Sequence, residues 1–357
     1  MVGLSVVREV NAGLVRRQFT VAVFVGGTAG IGEFGVRGLA KTHGESGKGL
    51  RVYIMGRNKQ AAERIIAESQ QLCPQAHFIF VAAKDLALLR DVDQVCEKLV
   101  TRERDEAARA GQVARVDFLV MTQGVLNLSR KDTEEGIDET MSLFYYSRMR
   151  FIVQLLPLLV ESPLPAHVAS ILAPGNEGKF VAEDISCRKP ENFGMRITTS
   201  HICYMTTFFM EQLATRHPGK LSLSHVYPGA VITQFGQTGS SPTWLKLLLR
   251  FVVIPLMRFY SLSEDESGQR TLFLASEKYP ARGTAQKVSP NGFDEIGIAV
   301  ATDGVVGGGC YRINQDGETF PTPDSYQTLR EQGVGDLIWQ HTSSAFEEIT
   351  SGRAFTG

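Results

Sequence analysis

An excess of charge of one sign is what this sequence most plainly lacks: 37 lysines and arginines stand against 38 aspartates and glutamates, a formal net charge of −1. Nucleic acid is therefore not an expected partner, because a polyanion binder needs a net basic field. Cysteine is sparse too. The five (Cys73, Cys96, Cys187, Cys203, Cys310) are odd in number and scattered, with no CxxC or CxxH spacing. That excludes a structural zinc site and a disulfide framework, so no metal is expected and a reducing compartment fits. No apolar run is long enough to span a bilayer; the strongest, Trp244 to Tyr260, is interrupted by Lys246, Arg250, Pro255 and Arg258. Such a stretch can lie on a membrane surface, but its commoner use is as a substrate lid. The first twenty residues carry charges throughout and lack the apolar core of a secretory signal. A cytoplasmic location is expected.

What is present reads as a globular α/β chain, with 43% hydrophobic and 21% charged residues. Short β-branched runs alternate with longer amphipathic stretches, the pattern of βαβ units and a parallel sheet. Strands are predicted over Val21–Val25, Arg51–Met55, His77–Val81, Val116–Met121, His167–Leu172 and Leu221–Val226. A last strand is predicted within the glycine-rich segment Val300–Ile313. Helices are predicted from Lys59, over Leu89–Ala110, Ile137–Leu159 and Thr198–Thr215, and around Glu264–Glu277. No repeat or low-complexity block appears. The organisation expected is an N-terminal helical segment (1–19), one α/β domain (20–290) with a lid over 237–280, and a C-terminal extension (291–357). The tail beyond the last strand is polar and gives no clear pattern.

Between the first strand and the first long helix lies Gly26-Gly27-Thr28-Ala29-Gly30-Ile31-Gly32. Residues without a Cβ let a backbone approach a pyrophosphate, and the following helix N-terminus offers free N–H groups and partial positive charge. A tight structural turn is the alternative, but strand, turn and helix in this order favour a dinucleotide. The second strand ends in Gly56-Arg57-Asn58-Lys59 with no acid. A carboxylate there would hydrogen-bond a free ribose, whereas a guanidinium pairs with a 2′-phosphate in fork geometry, so NADP(H) is the expected coenzyme.

The glycine spacing resembles the GxxxGxG turn of the short-chain dehydrogenase/reductases, and the resemblance runs over about residues 20–280. Asp85-Leu86 is similar to the family's adenine-holding Asp. Gly124 matches the end of its Asn-Asn-Ala-Gly motif, and Pro228-Gly229-Ala230-Val231-Ile232-Thr233 matches its PGxVxT loop. Retinol-dehydrogenase-type and divergent fungal biosynthetic members look most alike in order and length. The resemblance implies a Rossmann-like, doubly wound parallel sheet and an oxidoreductase acting on a small-molecule substrate. It also implies coenzyme contacts from Gly26, Thr28, Gly30, Ile31, Gly32, Arg57, Asn58, Asp85, Gly124, Pro228 and Thr233. Many members are dimers through their long helices, so a homodimer through 137–159 and 198–215 is an expectation.

The family's proton relay, an Asn, a Ser and a Tyr with a Lys four residues on, has no counterpart here. Pattern alignment puts Phe144 at the Asn, Ala173 at the Ser, Thr199 at the Tyr and Cys203 at the Lys. No register shift restores the pair: no lysine lies between Lys189 and Lys220. Replacement candidates are Thr199, which could orient substrate or water; Cys203, which titrates usefully if exposed; His201, chemically the best acid/base but about 200° around the helix; and Ser170, three positions early on its strand. Three readings stay open on sequence alone. The first is an NADP(H)-dependent oxidoreductase of a small, largely apolar carbonyl or alcohol in a specialised-metabolite pathway. The second is a non-redox isomerase, dehydratase or cyclase on the same scaffold, and the third is an NADP-binding pseudoenzyme.

Overall fold

Runs such as Thr20–Val25 and Leu50–Gly56 are apolar on both faces because both faces are covered, as a parallel sheet flanked by helices requires. In a computed structural model describing residues 2–44, 46–127, 129–233, 243–257, 260–285 and 296–357, seven strands form one sheet. They are β1 (Thr20–Val25), β2 (Leu50–Gly56), β3 (His77–Ala82), β4 (Phe118–Met121), β5 (Ala166–Ile171), β6 (Leu221–Val226) and β7 (Cys310–Ile313). All pair in parallel in the order β3-β2-β1-β4-β5-β6-β7. This is the expected doubly wound α/β architecture. The chain reverses direction across the sheet between β1 and β4, where open α/β folds bind their ligands.

The helices are α1 (Leu4–Leu14), α2 (Gly30–His43), α3 (Lys59–Leu72), α4 (Leu89–Arg109), α5 (Glu139–Met141), α6 (Ser147–Leu159), α7 (Met195–Arg216), α8 (Thr243–Leu248), α9 (Ile254–Met257), α10 (Glu264–Phe273), α11 (Asp324–Glu331) and α12 (Val334–Thr350). Alternation along β1 sorts the core. Val21, Val23 and Val25 face α4, α6 and α7, whereas Ala22 and Phe24 face α1, α2, α3 and α10. The N-terminal helix is tied in by Asn11, whose Nδ2 donates to Gln269 O (2.8 Å) and Gln269 Oε1 (2.9 Å).

Several predicted elements differ in form. The single helix over Ile137–Leu159 is instead α5, a π-helical turn at Ser142–Tyr146 and α6. The segment Val300–Ile313 yields a strand only from Cys310. Gly304, Gly307 and Gly309 carry φ of 82°, 71° and 88°, a left-handed backbone that cannot extend a ladder. The helix predicted to Glu277 stops at Phe273. The polar tail forms α11 and α12, with α12 laid across α7 and α4. The expected domain junction near 290, and residues 237–242 and 258–259 of the expected lid, lie outside the described residues.

Candidate functional site

The glycine turn closes on itself and on the end of β4. A Cβ at Gly26 (φ 80°) would stand 2.6 Å from Thr122 Oγ1, and one at Gly32 would stand 2.6 Å from Gly26 O. Close packing thus accounts for two of the three glycines without a ligand. The ligand argument rests on the donors. The N-cap Ala29 supplies no side-chain cap to α2, and the N–H groups of Thr28 through Gly32 find no partner among the described residues. A helix start left this way presents an anion site. Gly30 (φ 54°) touches Thr233: its Cβ would meet Thr233 Cγ2 at 2.9 Å. The fold therefore brings the PGxVxT loop onto the glycine turn, as the motif order implies.

At the end of β2, Thr28 leans on Gly56, where a Cβ would be 2.5 Å from its hydroxyl. No side chain at position 56 fits between the turn and the strand end. Arg57 follows, exposed. Asn58 serves as N-cap of α3, its Oδ1 accepting from Ala61 N–H at 3.0 Å, so the side chain is already engaged. Asp85, half-buried past β3, accepts from Ala87 N–H at 2.9 Å and holds its own turn. Gly124 lies under Phe144, whose ring a Cβ would strike at 2.2 Å. Beside Ile31 and Pro228 is a small apolar recess, also lined by Ile171, Tyr227, Leu262 and Phe273, of about 30 Å³. It has room for a water, not a metabolite.

The replacement candidates for proton transfer are engaged structurally. His201 is buried, and Val181 N–H donates to its Nε2 (3.0 Å), so its Nδ1–H donates to Ile185 O (3.1 Å). Both nitrogens are taken, and burial lowers the ring's pKa. Cys203 is fully buried and donates to Ala173 O at 3.1 Å; burial pushes the thiol well above its usual range. Ser170 is buried with its Oγ accepting from Arg148 Nη1 (2.8 Å). Thr199 alone is half-buried with no hydrogen bond among the described residues.

Arg148 was not singled out by the sequence reading. Its guanidinium is fully buried and donates to Gln123 O (2.6 Å), Ile171 O (2.8 Å), Leu143 O (3.2 Å) and Ser170 Oγ. It ties the C-terminal ends of β4 and β5 together beside Phe144, whose ring it faces at 5.7 Å. No carboxylate pairs with it among the described residues, and burial pushes its pKa down to about 9. A second missed group is Glu177, in the loop after β5, which pairs with Arg312 of β7 (2.8 Å) and accepts from Tyr326 OH (2.9 Å). These contacts anchor the β5–α7 loop to the C-terminal region.

The surface expected to form a dimer is covered within the chain. Trp339 of α12 stacks on Phe209 of α7 (4.7 Å), Tyr145 and Thr342 share a 2.6 Å hydrogen bond, and Arg150 sits over Phe346. Pairing through that face requires α12 to leave.

No protein-family model matches the chain. It is 35% identical over 361 residues to the short-chain dehydrogenase/reductase SAT2 of Stachybotrys chartarum, covering 99% of both chains. It is 37% identical over 352 residues to the oxidoreductase AN1596 of Emericella nidulans, covering 98% of this chain and 99% of that one. Among solved structures, an uncharacterized Mycobacterium paratuberculosis protein aligns with a TM-score of 0.56 at 16% identity, over 94% of this chain and 97% of that one. That similarity bears on the fold. The end-to-end likeness to SAT2 and AN1596, joined to the glycine turn at the head of a parallel sheet, makes this chain an oxidoreductase of the short-chain dehydrogenase/reductase family.

Proposed function

We propose that the protein is an NADP(H)-dependent reductase or dehydrogenase of a small, largely apolar carbonyl or alcohol in a specialised-metabolite pathway. The observation that carries the coenzyme choice is the end of β2. Gly56 is held side-chain-free by Thr28, no acid follows, and the exposed Arg57 that comes next carries a guanidinium suited to pair with a 2′-phosphate. The open N–H groups at the start of α2 suit the pyrophosphate, and Thr233, held against Gly30, suits the nicotinamide end.

Bound there, the coenzyme supplies or takes up a hydride. This chain's contribution is to bind and orient. Thr199 has the one free hydroxyl among the replacement candidates, and an unperturbed alcohol orients a substrate oxygen better than it protonates one. Cys203 and His201 hold their protons in backbone hydrogen bonds. The proton balancing the hydride then comes from water or from the substrate's own acidic group, which favours substrates needing little acid assistance.

Calorimetric titration with NADPH and NADH tests the reading. NADPH is expected to bind at least about tenfold tighter, and Arg57→Ala to erase most of that preference. Equal affinity for both coenzymes, or binding of neither, would overturn it.

A further inference from the structure

Between Thr243 and Tyr260, six of the described large apolar side chains stand in solvent. Trp244 is 62% exposed, Leu247 51%, Leu248 41%, Phe251 66%, Leu256 61% and Tyr260 84%. Elsewhere the exposed large apolar residues are mostly scattered, which is ordinary for a soluble surface. Here they are concentrated, and concentration marks an interaction surface. Four of them, Trp244, Leu247, Leu248 and Phe251, follow the i, i+3, i+4, i+7 spacing of one helical stripe. Among the described residues, the helical run α8, the π-helical turn Leu249–Val253 and α9 packs mainly on itself. It is not folded down as a lid over the recess.

The charge around this stripe is one-sided. The sequence has no acid between Glu211 and Glu264, while Lys246, Arg250 and Arg258 fall within the segment itself. A chain with net charge −1 thus gathers cations and no acid into the same stretch of sequence as these apolar residues, with Trp244 and Tyr260 near its two ends and Arg250 over the Phe251 ring. Apolar stripe, flanking cations and terminal aromatics together are the chemistry of a helix lying in the headgroup layer of an anionic bilayer. No helix among the described residues is long and apolar enough to cross a membrane, and Pro255 interrupts this one.

We propose that the helical run 243–257 docks the protein on an anionic lipid surface, with Trp244, Leu247, Leu248 and Phe251 buried among the acyl chains and Arg250 at the phosphates. The segment follows the loop carrying Pro228 and Thr233 and precedes α10, which lines the recess beside Ile31. Docking therefore sets the loop that frames the site at the bilayer surface, where an apolar substrate concentrates. Lipid binding itself does not depend on which coenzyme the protein uses.

The test is co-sedimentation of the full chain with vesicles of phosphatidylcholine containing 30% phosphatidylserine, against phosphatidylcholine alone. The anionic vesicles are expected to retain the protein, with affinity falling roughly tenfold or more on moving to 0.5 M salt. Leu247→Asp with Phe251→Asp should lower partitioning at least about tenfold at an unchanged melting temperature, since both side chains are exposed. Arg250→Glu should remove the preference for anionic over neutral vesicles. Trp244 and Trp339 are the two tryptophans, so Trp339→Phe leaves a single reporter, and its emission should shift to the blue on anionic vesicles. Failure of the wild-type chain to bind anionic vesicles would overturn the proposal. So would a Trp244 shift produced by NADPH and an apolar ketone without vesicles and unaffected by them, the signature of a closing lid.

Discussion

Replacing Gly30 by Ala tests the glycine turn where it meets Thr233. Two costs combine. The backbone holds φ at 54°, where an L side chain costs about 1–2 kcal/mol. The new methyl also stands 2.9 Å from Thr233 Cγ2 and 3.0 Å from its Cβ, an overlap of the kind that costs about 1–3 kcal/mol. The sum, roughly 2–5 kcal/mol, corresponds to a fall in melting temperature of about 3–7 °C for a chain of this size. Gly111 separates the two terms. Its φ is 63° and nothing lies within 4 Å of its would-be Cβ, so Gly111→Ala reports backbone strain alone, about 1–2 kcal/mol. In a Thr233→Gly background the steric part of Gly30→Ala should vanish, leaving a coupling of about 1 kcal/mol or more in a double-mutant cycle. Differential scanning fluorimetry reads stability, and quenching by NADPH reads the site, where affinity should fall about tenfold or more. Equal melting temperatures for wild type and Gly30→Ala would refute the contact geometry; lost stability with unchanged NADPH affinity would refute the placement of the coenzyme on this turn.

Three further perturbations probe other parts of the molecule. His167 and His341 are held near pH 4, chiefly by burial, and burial also lowers His201 and His225. Their folded values lie below the unfolded value of about 6.5, so between pH 6.5 and 4 the unfolded chain binds protons that the native chain refuses. Stability should therefore drop as pH falls through that window, by about 1–2 kcal/mol for each of His167 and His341 at pH 5, and His341→Gln should flatten the trend; a urea midpoint equal at pH 7.5 and pH 5 would contradict this. Arg148→Met strips four acceptors of a donor but also removes a buried cation without a carboxylate, opposing effects of several kcal/mol each. The melting temperature should accordingly move little while NADPH affinity drops about tenfold, and an affinity identical to wild type would show that the β4–β5 tie is unrelated to the site. Light scattering should give a 39.2 kDa monomer, because α12 already occupies the α7 face, whereas removing residues 334–357 should expose Phe209 and produce a dimer or aggregate. A full-length dimer that survives Trp339→Asp would place any interface elsewhere.

The coenzyme half was legible because its signals are local. A β-branched run, a glycine turn and a helix start are read from consecutive residues, and six of the seven strands fell within two residues of their predicted ends. Leu221–Val226 agrees at both ends. What the sequence hid depends on neighbours distant in the chain. The π-helical turn at Ser142–Tyr146 has ordinary helix formers around it. The tail helix α12 is amphipathic, but its apolar side makes sense only against Phe209 and Arg150. In Val300–Ile313 the glycines themselves carried the correction, since three of them sit at positive φ and end the strand's extension.

Arg148 shows where a signal existed and was not used. On its helix it falls in line with Met141, Tyr145, Ile152, Leu155 and Leu159, all fully buried, so one cation interrupts an otherwise apolar stripe. A charge in such a stripe either has a buried partner or has work to do at a strand end. Its acceptors settle which: the Gln123 and Ile171 carbonyls and the Ser170 hydroxyl at the ends of β4 and β5, with Leu143 O of the preceding turn. In the same register row, Ser170 neighbours His225, and His225 neighbours Arg312, which Glu177 neutralises. The polar residues under the expected reaction centre thus bond to one another and to the backbone, facing inward. His225 Nε2, buried and without a partner among the described residues, shows that even this row is not fully satisfied. Among the described residues, the replacement candidates other than Thr199 are held in such bonds, which is why the chemistry should lean on the substrate's own acidity.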